Sequence, residues 1–310
     1  MKRILITGGA GFIGSNLVKH LSALGDFHIT ILDNETVGKL ADIAEPNIKC
    51  IHGDIRDTAA LEGALVDIET VVHLAADTGV IQSTVDPETN FQINAFGTFQ
   101  LLNSARKTGV KRILNASTGG AILGDVIPPA HEGIVPQPMS AYGASKLAAE
   151  GYCSAFAGSY GLATASLRFS NIYGPGSFHK GSVVATFFKG ILQNRDLVVF
   201  GDGEQTRDFL FVGDLVEGIR LAIESEFVGV VQLGSGTPTS LNQLLSEVHT
   251  VVGDERTFAV EYQAYRKGEI RDTWCDISKA RRELSFNPQT ELGAGLAKTW
   301  DWFVSSGENH

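Results

Sequence analysis

Three glycines at three-residue spacing, Gly8, Gly11 and Gly14, follow directly on the short apolar run Arg3–Thr7 and open the amphipathic stretch Phe12–Leu24. Strand, glycine turn and helix in that order restrict the fold more than any other feature of the chain. They mark the start of a parallel sheet with a crossover helix. The pattern that follows agrees. Ile29–Leu32, Ile48–His52, Thr70–Leu74, Arg112–Asn115 and Thr164–Phe169 read as strands, while Thr58–Val66, Asn90–Lys107 and Ala141–Tyr160 have helical spacing. Such alternation predicts a Rossmann-type α/β fold, a doubly wound parallel sheet. After Phe169 the rhythm breaks. Asn171–Ser182 reads as a loop of glycine, proline and aromatics that closes over a ligand. Beyond it come helices at Asp214–Glu224, Leu241–Val252 and Leu292–Val304, with short strands near Val198 and Val230. Residues 1–170 are therefore expected to form the dinucleotide-binding domain and 171–310 a smaller, interleaved α/β region for substrate.

The glycines let the backbone turn sharply and approach a pyrophosphate, while the exposed N–H groups and dipole of the helix offer positive potential. A glycine turn without a ligand has the same local pattern, so the downstream acid matters. Asp33 closes the second strand in Ile31-Leu32-Asp33-Asn34, about 20 residues past the glycines. There a carboxylate hydrogen-bonds a ribose diol and repels a 2′-phosphate, which favours NAD over NADP. Asp54, in His52-Gly53-Asp54-Ile55, is either at the adenine edge or a turn aspartate. Tyr142 and Lys146 share a helix face at four-residue spacing. Lowering a phenol from about 10 to about 7 takes roughly 4 kcal/mol, which a neighbouring ammonium and an oxidised nicotinamide can supply together.

Net charge and cysteines narrow the function classes. With 25 basic and 35 acidic side chains the formal charge is −10, which disfavours a broad grip on nucleic acid or anionic lipid. Any phosphate site must be built from a few local cations. Three widely spaced cysteines, Cys50, Cys153 and Cys275, and eight histidines without ligand spacing predict neither a disulfide framework nor a metal site. Met1-Lys2-Arg3 before Ile4-Leu5-Ile6 imitates a short signal peptide, but Lys19 and His20 arrive early; no stretch reaches about 18 apolar residues. A cytoplasmic protein with no membrane span is expected.

Gly8-Gly9-Ala10-Gly11-Phe12-Ile13-Gly14, His73-Leu74-Ala75-Ala76, Tyr142-Gly143-Ala144-Ser145-Lys146 and Asn171-Ile172-Tyr173-Gly174-Pro175 resemble the extended short-chain dehydrogenase/reductases, nearly end to end. Thr206-Arg207-Asp208-Phe209 and Arg266-Lys267-Gly268-Glu269 make the chain most similar to their nucleotide-sugar 4-epimerases, of the UDP-glucose type. The resemblance implies NAD held by Gly8, Gly11, Phe12, Ile13, Gly14, Asp33, Asn34, Asp54, Ile55, Leu74, Ala75, Ala76, Asn94, Ser117, Tyr142, Lys146 and Phe169. It implies catalysis by Thr118, Tyr142 and Lys146, with Ser117 arguable in place of Thr118. Asn94, in a helix rich in Phe91, Phe96 and Phe99, reads either as a nicotinamide neighbour or as a core amide bonded to backbone.

By the same resemblance Asn171, Arg207, Arg266 and Glu269 hold a nucleotide-diphosphate sugar, a UDP-hexose first of all, with Arg271 an alternative cation. Related dehydratases carry an Asp-Glu pair where this chain has Gly119 and Gly120, so elimination lacks its proton carrier and reversible oxidation at C4 is left. Asp125 is the nearby acid that bears on that argument. Thr273 stands where several relatives have a bulky aromatic, which leaves room for an N-acetyl group. Helices Asn90–Lys107 and Ala141–Tyr160 resemble those through which relatives form homodimers.

Overall fold

The computed structural model describes residues 1–253, 256–265 and 270–307. Six strands come from the first half: Lys2–Thr7 (β1), Phe27–Asp33 (β2), Ile48–His52 (β3), Thr70–His73 (β4), Arg112–Thr118 (β5) and Ala163–Phe169 (β6). With Gly229–Leu233 at one edge they form a sheet in the order Gly229–Leu233, β6, β5, β4, β1, β2, β3, every neighbour parallel. Period-two alternation sends successive aliphatic residues to opposite faces. Ile4, Ile6, Ile31 and Val72 pack on one side beneath helices Phe12–Leu24 and Val212–Glu224. Leu5, Leu32, Val71 and Ile113 pack on the other, against Leu101 and Phe156 of helices Gly97–Thr108 and Ala141–Tyr160. Burial on both faces is what a parallel sheet with helical crossovers requires, and the expected doubly wound α/β fold is the one observed.

The order reverses at β1, which lies between β4 and β2. Ligands of such sheets bind outside the carboxyl ends at that switch point. The register brings Thr7 beside His73, His73 beside Asn115, and Thr118 beside Phe169, so these strands end at one edge. Over it lies a third core that joins Tyr173, Phe187, Phe188, Leu244, Trp300 and Phe303. Its short pairings are Asn171–Tyr173 with Phe209–Phe211, Thr206–Arg207 with Thr239–Ser240, and Leu197–Phe200 with Val260–Gln263.

Three elements differ from the sequence-based expectation. The helix expected over Asn90–Lys107 is divided into Pro87–Phe91, a π-helical turn Gln92–Phe96, and Gly97–Thr108. Asp86 starts it by accepting from the Thr89 N–H at 3.0 Å, and the extra residue of the π turn re-aims Asn94 inward. The Asn171–Ser182 loop opens as a short strand, because Asn171–Tyr173 pairs with a segment far along the chain. β5 continues past Asn115 to Thr118 because β6 offers a partner out to Phe169.

Phe286, 1% exposed, fills the space between Gly218 and Leu233 on the first face. Phe286→Ala is expected to cost about 3–5 kcal/mol, read as a lower urea midpoint with an unchanged slope.

Candidate active site

The glycine turn is fixed by backbone contact. Gly8 has φ +73°, and a Cβ there would lie 2.6 Å from the Ala75 nitrogen. A Cβ on Gly14 would strike the Gly8 carbonyl oxygen, so helix Phe12–Leu24 starts as close to the strand end as a backbone can. Ser15 N–H donates to the Gly11 carbonyl at 2.9 Å, and no side chain caps Gly11. The first N–H groups of the helix therefore point out over the sheet edge with no acid in the first turn. Phe12, Ile13 and Leu74 brace this turn against the first core, and Ile55 and Ala75 belong to the second. A strand-turn-helix cradle that only glycine can line fits the pyrophosphate of a dinucleotide.

Asp33 sits beside the cradle, its carboxylate accepting from the N–H groups of Ala10 at 2.9 Å and Glu35 at 2.8 Å. These bonds aim the acid and leave it lone pairs for a diol. Asp54 is engaged differently. Arg56 donates to both of its oxygens, at 2.8 and 2.7 Å, and Asn34 donates to Oδ2 at 3.1 Å. The Arg56 hydrogen bond holds the Asp54 carboxyl down at about 2. Asn34 and Asp54 thus join the ends of the second and third strands.

A second cluster surrounds the helix Ala141–Tyr160, which begins at Ser140, whose hydroxyl accepts from the Gly143 N–H at 3.1 Å. Tyr142 and Lys146 both lie on its buried face. Burial pushes the Tyr142 phenol up to about 12; a side-chain hydrogen bond with Thr118 works against that, and the Asp77 charge adds to it. Burial also lowers Lys146 to about 8, while Glu150 and Asp77 hold it up. The Lys146 ammonium donates to the Ala116 carbonyl at 2.9 Å. The two candidate hydroxyls of β5 meet different residues of this helix: Thr118 meets Tyr142, whereas Ser117 donates to Glu150 at 2.6 Å. Glu150 in turn is gripped by Arg168 at 2.9 and 2.8 Å, a buried pair behind the lysine.

Asp77 and Asn90, which belong to no motif read from the sequence, join this cluster. Asn94 accepts from the Asp77 N–H at 2.8 Å and donates to the Asp77 carbonyl at 2.8 Å and to Ser145 at 3.1 Å. Asn90 donates to the Asp77 carboxylate at 2.9 Å and accepts from Ser145 at 2.8 Å. Both amides thus clamp the loop after β4, which holds Leu74, Ala75 and Ala76, to the Tyr142 helix. Asn90 stands one turn before Asn94, a spacing that could have flagged it. His73 is fully enclosed between Thr7 at 2.7 Å and Thr98 at 2.9 Å, and burial followed by the Lys146 charge lowers it to about 3. Because Thr98 gives its proton to the Asn94 carbonyl, His73 Nε2 donates to Thr98 and Nδ1 accepts from Thr7.

On the substrate side, Arg207 donates to the carbonyls of Thr206 and Arg271, both at 2.8 Å, and bridges to Thr273. Thr273 faces Gly120, whose Cβ would lie 3.9 Å from the threonine methyl. A Cβ on Gly119 would meet Gln232 at 2.7 Å, and the Gly119 N–H donates to Phe169. Asn171 is exposed at the edge of its short strand. Arg271 pairs at the surface with Asp202 and Asp272, and Asp125 lines an open groove with Arg271 and Asp272. Arg266 and Glu269 lie outside the described residues. Asp208, between Arg207 and Phe209, is structural: it accepts from Ser235, Gly236 and Cys275.

A phosphate cradle and a Tyr–Lys pair on the carboxyl edge of one Rossmann sheet define the class of short-chain dehydrogenase/reductase folds. The sequence signature of the NAD dependent epimerase/dehydratase family matches residues 4–234. A UDP-glucose 4-epimerase of Mycolicibacterium smegmatis is 35% identical over 316 residues, covering 97% of this chain and 98% of that protein. The Thermotoga maritima UDP-glucose 4-epimerase structure with UDP-glucose superposes with TM-score 0.92 at 35% identity, over 98% of this chain and 99% of that one. A UDP-N-acetylglucosamine 4-epimerase from Methanobrevibacter ruminantium, in complex with UDP-N-acetylmuramic acid, gives TM-score 0.92 at 32% identity, over 98% and 99% of the two chains. The chain belongs to the NAD dependent epimerase/dehydratase family.

Gly8→Ala is expected to abolish cofactor retention, measured as dinucleotide released from purified protein, since φ +73° alone costs about 1–2 kcal/mol beside the clash. Lys146 has a second signature. Its lowered pKa, about 8 against 10.5, means that across that window the unfolded chain binds a proton the folded one does not, so stability rises with pH. Above about pH 10 the raised Tyr142 acts oppositely, because the folded state keeps the proton. Urea unfolding at about pH 7.5 and 9.5 should show wild type gaining on Lys146→Met at the higher pH.

Proposed function

We propose that the protein is a nucleotide-sugar 4-epimerase acting on a UDP-hexose through transient oxidation at C4, with tightly held NAD. The observation that carries this reading is the contact of Thr118 with Tyr142 above Lys146, next to a glycine pair and not an acid pair. Tyr142 takes the C4 hydroxyl proton and later returns it; Thr118 orients the C4 oxygen; Lys146 holds positive charge beside the phenolate. NAD, when bound, supplies the hydride acceptor and donor and a positive ring that favours the phenolate. The fit is electrostatic as well as spatial. With its phenol at about 12, Tyr142 is a poor base at neutral pH until a further positive charge arrives.

Gly8, Gly11, Phe12, Ile13 and Gly14 would hold the pyrophosphate, and Asp33 the adenosine ribose, with Asn34, Asp54 and Ile55 at the adenine. Leu74 to Ala76, Asn94, Ser117 and Phe169 line or support the nicotinamide side. Asn171, Arg207, Arg266 and Glu269 are assigned to the nucleotide sugar, within a substrate region spanning residues 171–310. Water exclusion under the 171–182 segment would keep the keto-sugar in place while it turns to present its other face.

Gly120 and Thr273 are small where the sugar would lie, which supports acceptance of N-acetylated hexoses. Exposed Ile81, Val85, Phe91 and Tyr152 on neighbouring helices support a homodimer through this face. Three unpaired thiols support a reducing, cytoplasmic location. Among the described residues no helix is long and apolar enough to cross a membrane.

Proton NMR with UDP-glucose, UDP-N-acetylglucosamine and UDP-glucuronate in parallel, without added NAD, should yield a galacto-configured product from at least one, the N-acetyl sugar included. Loss of water, or consumption of added reduced cofactor, would instead mark a dehydratase or reductase. Tyr142→Phe is expected to lower kcat by about 10²–10⁴; an unaltered rate would remove Tyr142 as the base, and wild type that turns over no nucleotide sugar would leave only a dinucleotide-binding scaffold.

A further inference from the structure

The glycine cradle contains no cation of its own, since residues 8–14 read Gly-Gly-Ala-Gly-Phe-Ile-Gly. Two phosphate charges in a chain of net −10 call for one. The segment after Tyr173 brings a lysine to this place from the substrate side of the molecule. Gly176, with φ +89°, rests against Asn16 and Phe12 of the cradle helix. Asn16 pins it there, donating to the Pro175 carbonyl at 2.9 Å and to the Phe12 carbonyl at 2.8 Å. Four residues after Gly176, the Lys180 carbonyl accepts from Lys189 of helix Val183–Leu192 at 3.0 Å. Between these two anchors the Lys180 ammonium lies 5.5 Å from the centre of the Phe12 ring, above the first residue of the cradle helix.

Lys180 forms no ion pair with any described carboxylate; its polar bonds are through its backbone, the N–H donating to Ser177 and the carbonyl accepting from Lys189. Desolvation already lowers its pKa. A desolvated ammonium with an aromatic face and no anion is costly, and it becomes favourable when a phosphate arrives. We propose that Lys180 is the cation of the dinucleotide pyrophosphate, and that it ties the 174–182 segment down over the bound cofactor. This rests on the NAD-dependent reading above. The cofactor would then be retained by a strap held at Pro175 and Lys180 by side chains of two helices. The alternative source of the same diphosphate chemistry is the nucleotide sugar, and the test separates the two.

The test uses wild type, Lys180→Met and Lys180→Arg, freed of cofactor and titrated calorimetrically with ADP-ribose and, separately, with UDP. Dinucleotide released from each freshly purified protein is measured alongside. Lys180→Met should bind ADP-ribose at least about tenfold more weakly, with UDP affinity within about twofold, while Lys180→Arg stays within about threefold for both. The cofactor-free Lys180→Met protein should melt no lower than wild type, because it has lost an unpaired charge; a lower melting temperature would overturn the proposal. So would unchanged ADP-ribose affinity, or a loss falling on UDP alone or equally on both ligands. Wild type that fails to bind ADP-ribose at all would overturn the NAD-dependent reading itself.

Discussion

The approach of Gly14 to the Gly8 carbonyl holds the rest of the site together. With no side chain between strand and helix, the first N–H groups of Phe12–Leu24 stand directly over the end of β1. Three other segments are then referenced to that point. Asp33 is oriented by the Ala10 N–H, Ala75 packs on Gly8, and Asn16 captures the Pro175 carbonyl. Displacing the turn by a single methyl group would move Asp33, the loop after β4 and the segment at Pro175 together.

Tyr142 and Lys146 are held by a different device, a buried polar lattice. Asp77, Asn90, Asn94 and Ser145 satisfy one another across the loop after β4, the π turn and the Tyr142 helix, while Glu150, Arg168 and Ser117 form a second unit behind Lys146. Buried polar groups are costly unless paired, and pairing holds one geometry; Arg168 does so through Nε and Nη2, its Nη1 having no hydrogen-bond partner. His73, kept neutral at about 3, adds a fixed dipole between Thr7 and Thr98 and no charge that would compete with Lys146. The charges close to Tyr142 are thereby limited to those that set its proton affinity.

Much of this could be read from sequence where the signal is local. The glycine triplet spans one strand-to-helix turn, Asp33 ends one strand, and Tyr142 and Lys146 share one helix, so each pattern is visible in local spacing. The different partners of Ser117 and Thr118 were not local: Glu150 and Tyr142 lie far along the chain on one helix, and only the fold sets which hydroxyl meets which. Lys180 had no signature at all, because its neighbour Phe12 is far away in the chain and meets it through the fold. The π turn was equally hidden, since one extra residue hardly changes an apolar period of 3.6. Asn171–Tyr173, three residues long, becomes a strand only through Phe209–Phe211.

One edge of the main sheet is Gly229–Leu233, contributed by the later half of the chain and hydrogen-bonded along β6. The Gln232 N–H on its outer side is taken up by the Glu132 carboxylate, from the loop before the Tyr142 helix. The earlier and later parts of the chain are therefore stitched through each other, not joined by a hinge. A gene fusion that exchanged everything after Phe169 for a relative's sequence would strip the sheet of its border and orphan Glu132. In a lineage built on this plan, new sugar preferences would arise by point changes in the overlying loops and not by cassette exchange.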